Sequence, residues 1–207
     1  MTTEKLSRKS GADAGDTPEK FGRFEEMDRR AMLFLYRRLR NPVFDLLMPF
    51  LSVICNKGAL HIVAGALMII CGHFAKLPKL QSAGVVLMAA AGSAFFIAEL
   101  PIKQIWKRKR PFMVMEEVLP KVPHKRLLKR PSFPSGHASG YFAGGVALSI
   151  CYPSLATAFL CIAALGSFSR IYNGVHFPSD VIAGSLIGAA FGAALTPFLL
   201  PALMKAF

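Results

Sequence analysis

"VIAGSLIGAAFGAALTPFLLPALM" occupies residues 181–204 of a 207-residue chain and contains no charged side chain. A helix needs about 20 mostly apolar residues to cross the hydrocarbon core of a bilayer. This block has that length, and its many small residues set it apart from an ordinary soluble core helix. "ALHIVAGALMIICGHFA", residues 59–75, repeats the pattern. Over the whole chain 53% of residues are hydrophobic and the mean hydropathy is +0.43. Backbone polar groups in lipid must be satisfied within the segment, so such blocks fold as helices. The expected fold class is all-α: a polytopic membrane protein.

Working outward, six transmembrane helices in a bundle are predicted, at about residues 42–55, 59–75, 82–105, 137–152, 154–172 and 178–200. Small residues recur through them, and in lipid these let backbones approach closely. The transmembrane domain is drawn over residues 41–207. Residues 1–20 are rich in Ser, Thr, Gly, Asp and Lys and are expected to form a disordered cytoplasmic tail. In residues 21–40, "FGRFEEMDRRAMLFLYRRLR", Phe24, Met27, Ala31, Phe34 and Leu39 recur at helical spacing. That pattern predicts an N-terminal amphipathic helix lying in the membrane interface. The competing reading is a helix packed on protein.

The formal net charge is +13. Ten Lys/Arg fall in residues 1–40 and ten more between Lys103 and Arg130. They sit at bilayer edges rather than along a soluble face. This argues against a nucleic-acid partner and for anionic membrane lipids. Six crossings place both termini on one face. The basic residues then divide 13 to 12 in favour of the termini side. Holding back Lys103, Arg110 and Arg170 for chemistry leaves 9 on the other side. The positive-inside rule therefore puts the termini in the cytoplasm. Cys55, Cys71, Cys151 and Cys161 all lie in apolar stretches, read as inert packed thiols.

Three polar groups stand at predicted membrane edges. "KQIWKRKRP" runs from Lys103 to Pro111, "PSGH" from Pro134 to His137, and "SRIYNGVHFPSD" from Ser169 to Asp180. Following the helices up and down brings all three to one face. Their inventory suits an anion. Arginine forks match phosphate oxygens, and lysine adds a point charge. Ser135 and Gly136 open a helix whose N-terminus favours a bound phosphate. His176 and Asp180 are four residues apart, so the carboxylate can fix one ring nitrogen and free the other as nucleophile. His137 is the candidate second histidine for acid–base work. No carboxylate cluster suited to Mg²⁺ lies near, and neither metal nor other cofactor is expected. Taken singly, each element has a structural reading. Lys103 can be a snorkelling anchor, His137 a helix cap, and Arg170 with Asp180 a structural pair. Glu99, one turn before Lys103, is read as steadying it. Trp106 and Tyr172 are read as interface-belt aromatics. His61, His73 and His124 receive no role.

Lys103 with Arg110-Pro111 resembles K-x6-R-P, the first signature of the type 2 phosphatidic acid phosphatase superfamily. Pro134 to His137 resembles the second, P-S-G-H. Ser169-Arg170, His176 and Asp180 resemble the third, S-R-x5-H-x3-D. The resemblance implies a phosphohistidine formed on His176, a leaving group protonated by His137, and Asp180 orienting His176. Lys103, Arg110, Ser135, Gly136 and Arg170 would hold the phosphate. It also implies a lipid phosphate substrate and a site on the periplasmic or extracytoplasmic face. The small size and the short 112–133 loop point to a bacterial inner (plasma) membrane protein. Undecaprenyl diphosphate is favoured, because Lys107 to Lys109 and Lys125 to Arg130 suit a doubly phosphorylated head group. Phosphatidylglycerophosphate, phosphatidate and lipid A 1-phosphate remain alternatives. Two other classes compete: a vanadate-dependent haloperoxidase, and a non-catalytic lipid-phosphate binding or transport protein.

Overall fold

A computed structural model describes residues 22–54 and 58–207. The tail expected over residues 1–20 lies outside the described residues. So do Cys55, Asn56 and Lys57. Every regular element among the described residues is helical. The order is α1 (Arg23–Arg38), α2 (Pro42–Ile54), α3 (Ala59–Phe74), α4 (Pro78–Ile105), α5 (Pro111–Val114), α6 (Gly136–Cys151), α7 (Ala156–Tyr172) and α8 (Pro178–Ala206). Three segments are long and apolar enough to cross a membrane: Pro78–Ile105, Pro153–Tyr172 and Pro178–Ala206. α2, α3 and α6 have 13, 16 and 16 residues. At 1.5 Å per residue they reach about 20–24 Å, short of the ~30 Å hydrocarbon core.

Helix packing follows from the small residues. α6 is the central helix and packs on α4, α7 and, most extensively, α8. Along α8, Gly184, Gly188 and Gly192 recur every four residues and face α6. A Cβ on each would collide with the backbone of Ser135, Ser139 and Ala143 respectively. Ala143 and Ala147 of α6 also meet Ala83, Val86, Ala90 and Ala94 of α4, which packs on α8 as well. Large apolar side chains point outward instead: Leu46 is 79% exposed, Phe74 81%, Leu186 67% and Phe198 79%. In water such a surface would be a liability. In lipid it is the expected face, and the chain is a multi-pass membrane protein.

α8 runs to Ala206, past the end expected near residue 200. Pro197 and Pro201 lie inside it. Membrane helices tolerate internal proline because freed backbone groups find other partners.

α1 forms where the amphipathic pattern placed it. Glu25 and Glu26 occupy its first turn and Arg37 and Arg38 its last, matching the helix dipole. Both of its faces are in use. Asp28 and Met32 are buried, and Met32 joins a cluster with Met115, Val118, Ala138, Ile171, Phe177 and Val181. Phe24, Met27 and Phe34 point outward. The helix therefore packs on its own bundle with one face and presents an apolar stripe with the other.

α2, where the first span was expected, is tied to the end of α7 by polar contacts. Tyr172 Oη donates to Asp45 Oδ1 at 2.6 Å, and Asn173 Nδ2 donates to the Met48 carbonyl at 2.9 Å. Arg170 donates to Ser52 Oγ. Asp45 to Ser52 covers about 10 Å of helix rise, yet its partners at the end of α7 span just Arg170 to Asn173, with Lys121 on Asp45 and Tyr141 of α6 on the Leu51 carbonyl besides. α2 thus lies across the end of α7 instead of running along it. The physical reason is polar. Asp45 is anchored at that end by Lys121 and Tyr172. Tyr172, expected in an interface belt, is buried there.

The glycine contacts give a direct test of the packing. Gly92 lies on α4 with open space where a Cβ would stand, whereas Gly188 faces backbone. Gly92→Ala should stabilise the protein in detergent by up to about 1 kcal/mol through helix propensity. Gly188→Ala should destabilise it by about 1–3 kcal/mol through overpacking. Thermal unfolding of both variants checks this; equal shifts would refute the close α6–α8 contact.

Candidate active site

α4 ends in a π-helical turn, Ala98–Ile102, that contains Pro101. Proline cannot donate the regular helical hydrogen bond, and the turn widens locally. Glu99 lies in this turn and Lys103 follows it. Lys103 is buried, and its Nζ pairs with Glu99 Oε1. Glu99 Oε2 lies 3.6 Å from Arg130 Nη1. Glu99 steadies Lys103 as its position implied. A Cβ on Gly136 would run into the Glu99 carboxylate, which explains glycine there.

Arg110 is 2% exposed and engages several groups. Its Nε donates to the Arg130 carbonyl at 3.0 Å and its Nη2 to the Pro131 carbonyl at 3.1 Å. Nη1 donates to the Val175 carbonyl at 2.8 Å and lies 3.2 Å from His176 Nε2. One guanidinium therefore staples the loop before α6 to the loop before α8. Burial pulls its pKa down to about 10 against the opposing pull of Glu99 and Asp180, so it remains charged at neutral pH.

His176 precedes α8, and Asp180 stands in the first turn of that helix. Asp180 is fully buried. Its Oδ2 accepts from the Phe177 N–H at 2.9 Å, closing the α8 N-terminus, and lies 3.5 Å from His176 Nδ1. Asp180 thus faces one ring nitrogen at ion-pair distance, without a hydrogen bond, and Arg110 faces the other. Burial, then Arg110, Arg170 and Lys103, hold the His176 pKa well below its ordinary value. The ring is neutral at pH 7.

His137 stands in the first turn of α6, with its ring edge-on to Phe95 at 6.3 Å. Ser135 caps that helix: its Oγ accepts from the Ala138 N–H at 3.4 Å. Its own N–H donates to the Asp180 carbonyl at 2.9 Å, tying α6 to α8. Arg170, near the end of α7, is buried beside Ser52.

These pieces enclose one cavity of about 540 Å³. Lys103, Arg110, His137, Arg170 and His176 all line it. Asp180 adjoins it through His176, and Ser135 and Gly136 through His137. All three sequence groups therefore meet at one place. His124 and Lys125 also line the cavity. His124, given no role from the sequence, packs against Phe112 with ring centroids 5.4 Å apart.

Sequence reasoning missed a second layer. Arg108 was grouped with Lys107 and Lys109 as a head-group contact. Instead its Nη1 donates to Asp180 Oδ1 at 2.8 Å and its Nη2 to Asp28 Oδ2 at 2.7 Å. Asp28 belongs to α1, which the sequence reading kept apart from the site. No local spacing signals that pairing.

Comparison with known proteins follows the geometry. A lipid A 1-phosphatase from Rhizobium johnstonii is 42% identical over 60 residues, covering 29% of this chain and 25% of that protein. An undecaprenyl-diphosphatase from Sulfolobus acidocaldarius is 34% identical over 115 residues, covering 54% of this chain and 52% of that protein. The chain thus spans between a quarter and about half the length of these curated relatives. The fold is similar to the crystal structure of a transmembrane PAP2-type phosphatidylglycerolphosphate phosphatase from Bacillus subtilis. The TM-score is 0.64 at 21% identity, over 86% of this chain and 87% of that one. The family model described as the PAP2 superfamily matches residues 82–202, which include every residue on the cavity wall named above, and the chain belongs to that superfamily.

Proposed function

We propose that the protein is a metal-independent lipid phosphate phosphatase that works through a phosphohistidine. The observation that carries this is the shared cavity: His137, His176 and three buried cations around one space, with a carboxylate behind His176. Binding alone needs only the cations. A paired nucleophile and acid add reactivity, which favours an enzyme over a binding or transport protein.

In the proposed reaction, His176 Nε2 attacks phosphorus. A P–N bond forms and the P–O bond to the leaving group breaks. His137 delivers a proton to the departing oxygen. Water then attacks the phosphohistidine, giving its proton to His137. Inorganic phosphate leaves and His176 is regenerated. Lys103, Arg110 and Arg170 stabilise the charge on the equatorial oxygens, the main demand of phosphoryl transfer. Asp180 keeps the His176 proton on Nδ1. Ser135 and Gly136 set the α6 N-terminus against the phosphate.

For the substrate, we favour undecaprenyl diphosphate. The similarity to an undecaprenyl-diphosphatase supports it, as does Lys125 on the cavity wall. With that substrate the leaving group is the lipid monophosphate. Lipid A 1-phosphate is the alternative that the Rhizobium relative supports.

The membrane arrangement we infer has five crossings: α3, α4, α6, α7 and α8. α1 and α2 both lie at the cavity end, held there by Asp28, Asp45 and Ser52. The six-crossing count, and with it the cytoplasmic placement of both termini, rested on α2 as a span. With five, α1 and the cavity share one face while the end of α8 reaches the other. The outward stripe of Phe24, Met27 and Phe34 then rests in the interface on the cavity side.

Phosphate release from micellar lipid diphosphate should persist in EDTA. His176→Ala should abolish it, and His137→Ala should lower it about 10²–10⁴-fold; near wild-type turnover by His176→Ala would remove the assigned nucleophile. Because the His176 pKa is depressed, kcat/KM should hold as pH falls through 6.5 and decline only below it. The profile is measured with correction for the substrate's own ionisation, and an acid limb at or above 6.5 would contradict a buried, neutral nucleophile. Finally, Glu25→Cys and Ala206→Cys, each in a chain stripped of native cysteines, should react with an impermeant maleimide from opposite membrane faces. Labelling from one face would restore an even number of crossings.

A further inference from the structure

Arg108 lies between the first-signature residues Lys103 and Arg110 but is itself outside the signature. Its guanidinium bridges two buried carboxylates, Asp180 at 2.8 Å and Asp28 at 2.7 Å. Nη1 also reaches Ser179 Oγ at 2.7 Å. Ser179 completes the ring: its N–H donates to Asp28 Oδ1 at 3.0 Å and its hydroxyl to Asp28 Oδ2. The Arg108 guanidinium stacks over the Phe177 ring at 4.0 Å. These contacts tie together three elements: α1, the loop after α4, and the start of α8.

We propose that Arg108, clamped by Asp28 of α1, is a positioning residue that sets the Asp180 carboxylate and through it the His176 imidazole. This rests on the reading of His176 as nucleophile. The physical argument has two parts. First, Asp180 has two oxygens and two directions to satisfy. Oδ2 takes the Phe177 N–H and faces His176, and Oδ1 is held by Arg108. Without the Arg108 contact on Oδ1 the carboxylate keeps one anchor, the Phe177 N–H, and can turn about χ2 so that Oδ2 no longer faces Nδ1 of the ring. Second, a single cation serves two buried carboxylates. Removing it leaves uncompensated charge beside the nucleophile. A lysine keeps the charge but cannot reach both carboxylates in fork geometry. α1 is therefore part of the catalytic framework, although 148 positions separate Asp28 from His176 in the chain.

The full-length protein tests this with Arg108→Gln, Arg108→Lys and Asp28→Asn, the last being nearly isosteric. Phosphate release in detergent should show kcat lowered about 10²-fold in Arg108→Gln, as for a misplaced reacting group. KM and inhibition by inorganic phosphate should stay within threefold. Arg108→Lys and Asp28→Asn should fall between. A raised KM with kcat preserved would make Arg108 a substrate contact and overturn the proposal. Histidine ¹⁵N spectra, with His176 assigned by its alanine variant, give a readout independent of turnover. Wild type should show a proton on Nδ1 and a bare Nε2, and Arg108→Gln should show mixed tautomers. An unchanged His176 signal in a folded Arg108→Gln protein would refute the positioning role. A wild type that releases no phosphate but shows the tautomer shift on substitution would instead overturn the phosphatase reading and leave the linkage standing.

Discussion

The structure depends on where the Asp180 side chain and backbone are held. Its carbonyl accepts the Ser135 N–H, its Oδ2 the Phe177 N–H, and its Oδ1 the Arg108 guanidinium. These bonds join the start of α6, the start of α8 and the loop after α4. A fully buried carboxylate is tolerated only when its lone pairs are occupied. Here that requirement fixes three chain segments at once. The small residues of α8 make it possible, because only a close α6–α8 approach brings Ser135 within reach of the Asp180 carbonyl.

Arg110 does the matching work on the other side of the imidazole. It donates to the carbonyls of Arg130, Pro131 and Val175. Those carbonyls belong to loops that meet only in the folded chain. The cation is thus held in a fixed orientation, as the proposed role in phosphoryl transfer requires. An arginine suits this place better than a lysine, because its planar fork can hold several acceptors while one N–H remains near Nε2 of His176.

The three signatures were legible because each is local: a histidine and carboxylate four apart, a P-S-G-H turn, a lysine and arginine seven apart. Helical periodicity and the apolar blocks likewise placed α3, α4, α6, α7 and α8 within a few residues. What stayed hidden depends on partners distant in sequence. α2 has the composition of a short span, and nothing within residues 42–54 announces that Asp45 will be held by Lys121 and Tyr172. Arg108 sits in a run of four basic residues, and composition cannot say which one turns inward. Asp28 falls on the polar face of an amphipathic helix, where a solvated carboxylate reads the same as one that meets Arg108. Tyr172 was misplaced for a related reason: aromatic residues at helix ends occur both in interface belts and, as here, as buried hydrogen-bond donors.

Glu99 raises a last question of charge. The cavity is lined by Lys103, Arg110 and Arg170, and a negatively charged group on the same wall should compete with a phosphate. The burial of Lys103 explains why it is nevertheless useful. Arg110 is satisfied by carbonyls and Arg170 by Ser52 among its partners. A buried ammonium has no such fork of contacts, and left alone it would be costly. Glu99 supplies its counter-charge and shares itself with the more exposed Arg130. In the proposed reaction the three ammonium protons of Lys103 can serve both Glu99 and a phosphate. Glu99 holds Lys103 in place, and the widened turn at Pro101 sets the two side chains toward the same cavity.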